Sequence, residues 1–311
     1  MLENTLISVC MITYKHEGYI KSAIEGVLLQ NYNGSIELII ADDNSPDNTE
    51  KIVKEIQNKH PKGHFIQYTK HKKNKGIIPN FVWALEQCKG KYIALCDGDD
   101  YWTDPLKLQK QIDFLESNKC YTGVSSNVKV VYENSDKGSH LFKNNIKQDT
   151  FKLNDLLQGR FFHTATFVFR SSCFKKDFPD FILSGDRALF MLVACFGDIK
   201  YIKDVTAVYR KNEGGISRNV TSKQMIKDFN IANFIKKYNS NLDYHKLQAF
   251  IAYTVLSYSM IIYKNDFKKA KKALYYHSLF EKGKFRPIKK RRTLITNFKI
   301  IKQNITKVKI D

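Results

Sequence analysis

Three carboxylates fall within four residues at Asp97, Asp99 and Asp100, inside Ala94-Leu95-Cys96-Asp97-Gly98-Asp99-Asp100-Tyr101-Trp102. Like charges packed this closely oppose one another unless a cation joins them. Mg2+ or Mn2+ meets that need, and such ions are held by one or two carboxylates together with substrate phosphates. Diphosphate chemistry is the first expectation, with a solvated acidic turn ahead of the next helix as the plainer alternative. A second acidic pair stands in Asp42-Asp43-Asn44-Ser45-Pro46. The Asp43 carboxylate is an acceptor only, which suits the imide N–H of a uracil. Asp43, or Ser45 ahead of Pro46, would equally cap a helix. Thr13-Tyr14 could add a hydroxyl and a stacking face for the same base.

These residues need elements to hold them. Apolar β-type runs at 6–14, 36–41, 64–69 and 92–96 alternate with segments at 17–30, 46–59 and 79–88 whose apolar residues recur three or four apart. This alternation predicts β-α-β units and a largely parallel sheet. Ligands of such sheets bind beyond the carboxyl ends of the strands, and Thr13, Asp42, Asp43, Asp97 and Asp99 all stand there. A helix over 104–117 opens with Asp then Pro. The pattern loosens over 124–132 and becomes a polar loop over 133–149. A strand-like run at 161–170, a helix-like one at 185–196 and a helical period over 221–280 follow.

The chain has 311 residues, 43% of them hydrophobic, so it can build one large domain with an appendage and is neither a disordered tail nor a disulfide-stapled miniprotein. Its net charge is +20, and residues 282–309 hold eleven Lys and Arg with no acid, leaving +9 elsewhere. Nucleic acid, an anionic membrane and phosphate-bearing small molecules all attract such charge. Within the tail, Leu294, Phe298, Ile301, Ile305 and Val308 form a helical stripe beside Lys299, Lys302, Lys307 and Lys309. A basic amphipathic helix of this type lies in a membrane interface, whereas a helix packed on the catalytic domain is the alternative. A nucleic-acid surface would interleave aromatics with the basic residues, and this block holds only Phe285 and Phe298. The six cysteines show no C-x-x-C spacing, which suits reduced thiols in a cytosol. Neither a signal peptide nor a membrane span is expected, because 251–263 is too short and too interrupted by hydroxyl residues.

Three segments in order, Ser8-Val9-Cys10-Met11-Ile12-Thr13-Tyr14, Glu37-Leu38-Ile39-Ile40-Ala41-Asp42-Asp43-Asn44-Ser45-Pro46-Asp47-Asn48-Thr49 and Asp97-Gly98-Asp99-Asp100-Tyr101-Trp102, resemble the N-terminal signatures of the family 2 glycosyltransferases. The resemblance is firm over 5–118, weaker to 216 and absent beyond. It implies a GT-A fold, α/β and Rossmann-like with a mainly parallel central sheet. The catalytic domain would span 1–218, with a nucleotide-sugar half at 1–118 and an acceptor half at 119–218. A C-terminal helical appendage at 219–281 and the basic amphipathic tail at 282–311 would follow.

The resemblance also implies roles. Thr13, Tyr14, Asp43 and Asp97 line the nucleotide pocket, Asp99 binds Mn2+ or Mg2+ with Asp97 beside it, and Arg210 reaches the diphosphate. The inverting base stands at the start of a later helix, where Ser184-Gly185-Asp186-Arg187 fits, so Asp186 is the candidate; a helix-start Asp paired with the dipole is the alternative. Trp102, Asp100 and His163 fall on the acceptor side, with core packing as the alternative for Trp102 and His163. The family commonly carries His where Asn212 stands. The donor implied is a UDP-sugar and the acceptor a glycan or lipid-linked precursor of a bacterial surface polysaccharide. The enzyme would work at the inner face of the cell membrane, docked through its tail. Competing readings are a nucleotidyltransferase or other metal-dependent phosphate enzyme, and a nucleic-acid-binding protein explained by the net charge.

Overall fold

The computed structural model describes residues 5–157, 159–212, 224, 226–243 and 247–248. They divide into two compact units. The first runs to Leu153 and resumes over Arg160–Phe181 and from Gly185; the second takes Asn154–Gly159, Ile182–Ser184 and the described residues from 224 onward.

The first unit opens as the apolar alternation predicts. β1 (Leu6–Thr13), α1 (Ile20–Leu28), β2 (Ser35–Asp42), α2 (Thr49–Lys59), β3 (Ile66–Lys70), α3 (Ile77–Gln87) and β4 (Tyr92–Leu95) follow one another. The strands pair in the order β3-β2-β1-β4, all parallel. β1 and β2 are buried almost end to end, as expected where helices cover both faces of a parallel sheet. α1 turns Ile20, Ala23, Ile24, Val27 and Leu28 inward at helical spacing. α2 begins at Thr49 with Asn48 as its cap residue, so neither Asp43 nor Ser45 starts that helix.

Beyond β4 the sheet changes character. β5 (Tyr101–Trp102), α4 (Lys107–Ser117), β6 (Tyr121–Tyr132), β7 (His140–Leu141), β8 (Thr150–Phe151), β9 (Val168–Arg170), α6 (Gly185–Ala194) and β10 (Asp198–Lys211) complete it, while α5 (Leu153–Leu156) falls in the second unit from Asn154 on. The full order is β3-β2-β1-β4-β9-β6-β10-β5, with β7 on β6 and β8 on β10. β9 runs antiparallel to both β4 and β6, while β10 runs parallel to β6. The loose stretch at 124–132 is thus part of one twelve-residue strand. Only Val168–Arg170 of the expected 161–170 run is strand, because a 3-10 turn at Thr164–Thr166 precedes it. β5 lies antiparallel on β10, pairing Trp102 with Ala207 and Tyr101 with Val208, and α1 is pressed so closely on it that a Cβ at Gly26 would meet the Trp102 backbone at 2.9 Å.

In the second unit α7 (Phe229–Tyr238) buries Ile231, Ala232, Phe234 and Ile235. The Asp228 carboxylate accepts the amides of Leu183 and Ser184 at 2.8 and 2.9 Å. Apart from residues 224, 226–243 and 247–248, the expected helical region 219–281 lies outside the described residues, as does the whole of 282–311. All six cysteines are free thiols. No described helix is long and apolar enough to cross a membrane.

Candidate active site

The ends of β1, β2 and β4 stand side by side because their registers are locked. Thr13 pairs with Asp42 across β1 and β2. The Asp43 amide donates to the Thr13 carbonyl at 3.0 Å, and the Gly98 amide donates to Ile12 at 2.9 Å. Asp97, Gly98 and Asp99 therefore lie across the mouth of β1. Gly98 is needed there by close approach: a Cβ on it would sit 2.9 Å from Thr13 Oγ1 and 3.0 Å from His16 Nδ1.

Asp43 is buried, and its oxygens accept the amides of Lys75 at 2.6 Å and Gly76 at 2.9 Å. That clamp orders the loop between β3 and α3 and fixes the carboxylate in place. Asp42 is structural, accepting the Ser45 amide and the Tyr68 hydroxyl, each at 2.7 Å. Tyr14 is exposed. Thr13 is buried, and its hydroxyl has no hydrogen-bond partner.

Burial, then the charges of Asp99 and Asp186, push the Asp97 carboxyl up to about 8. Asp100 is likewise raised well above its ordinary value, by burial and by Asp99 and Asp97. Three carboxylates in this space cannot all ionise without added positive charge. The nearest guanidinium is committed to the turn itself. Arg210 donates through Nη1 to the Asp99 carbonyl at 3.1 Å and through Nη2 to Ser22 Oγ at 2.7 Å, over the Tyr101 ring at 4.3 Å. Its amide donates to Asp100 Oδ1 at 3.0 Å, and Asn212 Nδ2 donates to Asp99 Oδ2 at 3.1 Å. The pairing of β5 with β10 delivers both residues to the acid turn.

Asp186 stands in the first turn of α6. Arg160 Nη2 donates to its Oδ2 at 2.8 Å, and the Arg187 amide donates to its Oδ1 at 2.7 Å.

Three residues expected on the acceptor side lie in the interior. Trp102 is 3% exposed, and its Nε1 donates to the Ala165 carbonyl at 2.6 Å. A side chain so enclosed is a core residue and offers no sugar-stacking platform. His163 is also 3% exposed, packs in a tilted arrangement on the Tyr209 ring with centroids 4.1 Å apart and accepts the Ala165 amide through Nδ1 at 3.3 Å. Burial holds its pKa well below the ordinary value, so it is a neutral cap on the 3-10 turn. Asp100, 2% exposed, pins Arg210 and faces no open cleft.

Residues 8–178 match the sequence profile of Glycosyl transferase family 2. The chain belongs to this family. An uncharacterized protein of Mycobacterium tuberculosis is 34% identical over 210 residues, covering 68% of this chain and 60% of its own length. The matched region thus spans less than two thirds of that relative. The UDP-Glc:alpha-D-GlcNAc-diphosphoundecaprenol beta-1,3-glucosyltransferase WfaP of Escherichia coli is 35% identical over 121 residues, covering 39% of this chain and 45% of its own. In fold, the chain is similar to residues 1–349 of S. aureus TarS, solved in complex with UDP-GlcNAc, with a TM-score of 0.66 and 17% identity over 87% of this chain and 79% of that one.

For a family 2 glycosyltransferase, sequence reasoning overlooked two groups at this site. Arg160 pairs with Asp186, and its charge opposes the rise of Asp97. It precedes Phe161 with no motif around it, so only the fold could reveal it. His16 lies three residues past Thr13, with Nε2 4.0 Å from Asp99 Oδ2. Its signal was position alone, since loop residues just beyond a strand end share that strand's ligand.

Proposed function

We propose that this glycosyltransferase moves a sugar from a UDP-sugar to an acceptor hydroxyl in one displacement, so that an α-configured donor yields a β-linked product. One observation carries the reading: Asp186, from the start of α6, lies near enough to the β4 turn for its charge to raise Asp97. One carboxylate serves as base, and the turn across from it serves the departing diphosphate. A glycoside hydrolase would need a facing carboxyl pair acting on the sugar instead.

Asp43, held by two backbone amides, accepts from the uracil imide, with Thr13 and Tyr14 along the same pocket. Asp97 lies toward the ribose. Asp99, with Asp97, would hold Mn2+ or Mg2+, and the elevated Asp97 and Asp100 fit a site whose charge balance includes a cation. That cation supplies positive charge against the departing diphosphate. Arg210 fixes the turn through its carbonyl and through Asp100, which sets where the Asp99 carboxylate points. Asp186 takes the proton from the acceptor hydroxyl, a step worth ~10²- to 10⁴-fold, and the Arg160 contact orients it.

The acceptor in this reading is a lipid-linked precursor of a bacterial surface polysaccharide, at the inner face of the membrane. The diphosphoundecaprenol acceptor in the name of WfaP supports it, as does the basic amphipathic pattern of residues 282–311. The full chain should float with anionic vesicles and a chain ending at Phe285 should not; flotation of the shorter chain would remove the tail from the reading.

The decisive assay measures UDP release from a panel of UDP-sugars with and without Mn2+. One donor should be preferred, and Asp99→Ala should abolish turnover. Turnover that is indifferent to both metal and Asp99 would end the metal role, and release from no UDP-sugar would end the donor assignment.

A further inference from the structure

Two buried side-chain polar atoms without a hydrogen-bond partner, Thr13 Oγ1 and His16 Nδ1, flank the same point beside Gly98. Leaving one such atom unpaired costs about 1–3 kcal/mol, and the His16 ring is not placed by a hydrogen bond at Nδ1. The other edge of the imidazole faces the acid turn, with Nε2 4.0 Å from Asp99 Oδ2. That separation is too long for a hydrogen bond. It does suit two ligands of one ion: donors about 2.1 Å from a common octahedral cation stand about 3 Å apart when adjacent and about 4.2 Å when opposite.

The ring is also held for the task from outside the turn. The His16 amide donates to Thr49 Oγ1 at 3.1 Å, and Tyr19 packs edge-on with ring centroids 6.2 Å apart. Thr49 Oγ1 in turn donates to Asp47 Oδ1 at 2.7 Å. The loops after β1 and β2 therefore set the imidazole without using either ring nitrogen.

We propose that His16 is a ligand of the divalent cation through Nε2, joining Asp99, and that this nitrogen biases the site toward Mn2+ over Mg2+. Mg2+ takes oxygen donors and adapts poorly to others, whereas transition ions accept imidazole. The inference rests on the reading of Asp99 as a cation ligand.

The test uses the full chain with Mn2+, alone and with UDP. Pulsed electron paramagnetic resonance should show nitrogen coupled directly to Mn2+, with its isotope pattern changing when the protein is labelled with [15N]histidine. His16→Gln should remove that coupling and weaken Mn2+ binding by at least ~10-fold, the low end of the loss when a residue that only orients a metal's ligands is altered, while changing Mg2+ binding by less than about 2-fold. His16→Asn provides a second variant, and wild-type labelling decides the point even if both variants fold poorly. Absence of nitrogen coupling in the wild type, its persistence in His16→Gln, or equal losses for Mn2+ and Mg2+ would each overturn the proposal. Failure of the underlying reading looks different: Asp99→Asn would then bind Mn2+ as the wild type does.

Discussion

The two halves of the first unit use their polar residues in opposite ways. In the half built on β3-β2-β1-β4, a carboxylate just past a strand end is clamped by backbone amides of a neighbouring loop, as Asp43 is by Lys75 and Gly76. In the half built on β9, β6 and β10, polar residues expected at a cleft are spent inside the fold. His163 caps a turn, and Ser125 and Ser126 pair with Thr166 and Thr206 at 2.9 and 2.6 Å. The difference follows from topology. Parallel strands all end at one edge and gather their following loops there, whereas antiparallel neighbours send alternate ends to opposite edges. In the proposed reading, chemistry concentrates where strand ends coincide, and Asp186 joins it from α6.

The contrast is broken most severely through Asp186. Asp186→Asn should retain UDP binding by calorimetry while turnover falls ~10²- to 10⁴-fold. Its stability should move by less than about 1 kcal/mol, because a part-exposed ion pair contributes little. A variant of near-normal rate would remove Asp186 as the base. Trp102→Ala should do the reverse. Urea unfolding should show a loss of about 3–5 kcal/mol, the usual cost of truncating a buried large aromatic, since the ring lies beneath Lys107 and its Nε1 bond to Ala165 disappears. Intact stability together with lost acceptor use would restore Trp102 to the cleft.

The legibility of the site in the sequence divides along the same line. The strand ends at Thr13, Asp42 and Leu95 fall within a residue or so of where apolar alternation ends, because a strand covered on both faces must be a continuous apolar run. The acid turn was therefore placed correctly from spacing alone. β10 was not foreseen because its register on β6 shifts between Ile202 and Val205 and again between Val205 and Ala207, and each bulge resets the period-two pattern. Asn212 and Arg210 follow those bulges, so their arrival at Asp99 could not be read from spacing. Trp102 misled for another reason. Next to an acid motif an aromatic residue suggests a sugar platform, yet Trp102 ends a two-residue strand pinned between α1 and β10.

The smallest expected effect tests the seam between the halves, where Lys107 lies. It is fully buried, donates to Gln111 Oε1 at 2.9 Å and sits 4.0 Å from the centre of the Trp102 ring. Burial draws its pKa down to about 7 from an ordinary 10.5. Below pH 7 the lysine is charged in both folded and unfolded chains, and the cost of burying that charge is fully present. Between about 7 and 10.5 the folded side chain is neutral while the unfolded one still binds a proton. The unfolded state thus holds more protons, and this residue makes stability rise with pH. From pH 6.5 to 8.5 the gain should reach ~2 kcal/mol by that linkage. Asp97, whose carboxyl is pushed up to about 8 by burial and by Asp99, pulls the other way over the same range, so the raw profile mixes both. The difference between the wild type and Lys107→Met isolates the lysine, because both proteins carry the same acid turn. Urea midpoints at the two pH values should show the wild type gaining on the variant as pH rises; parallel profiles would mean that Lys107 stays charged inside the fold, its Trp102 and Gln111 contacts alone offsetting the burial.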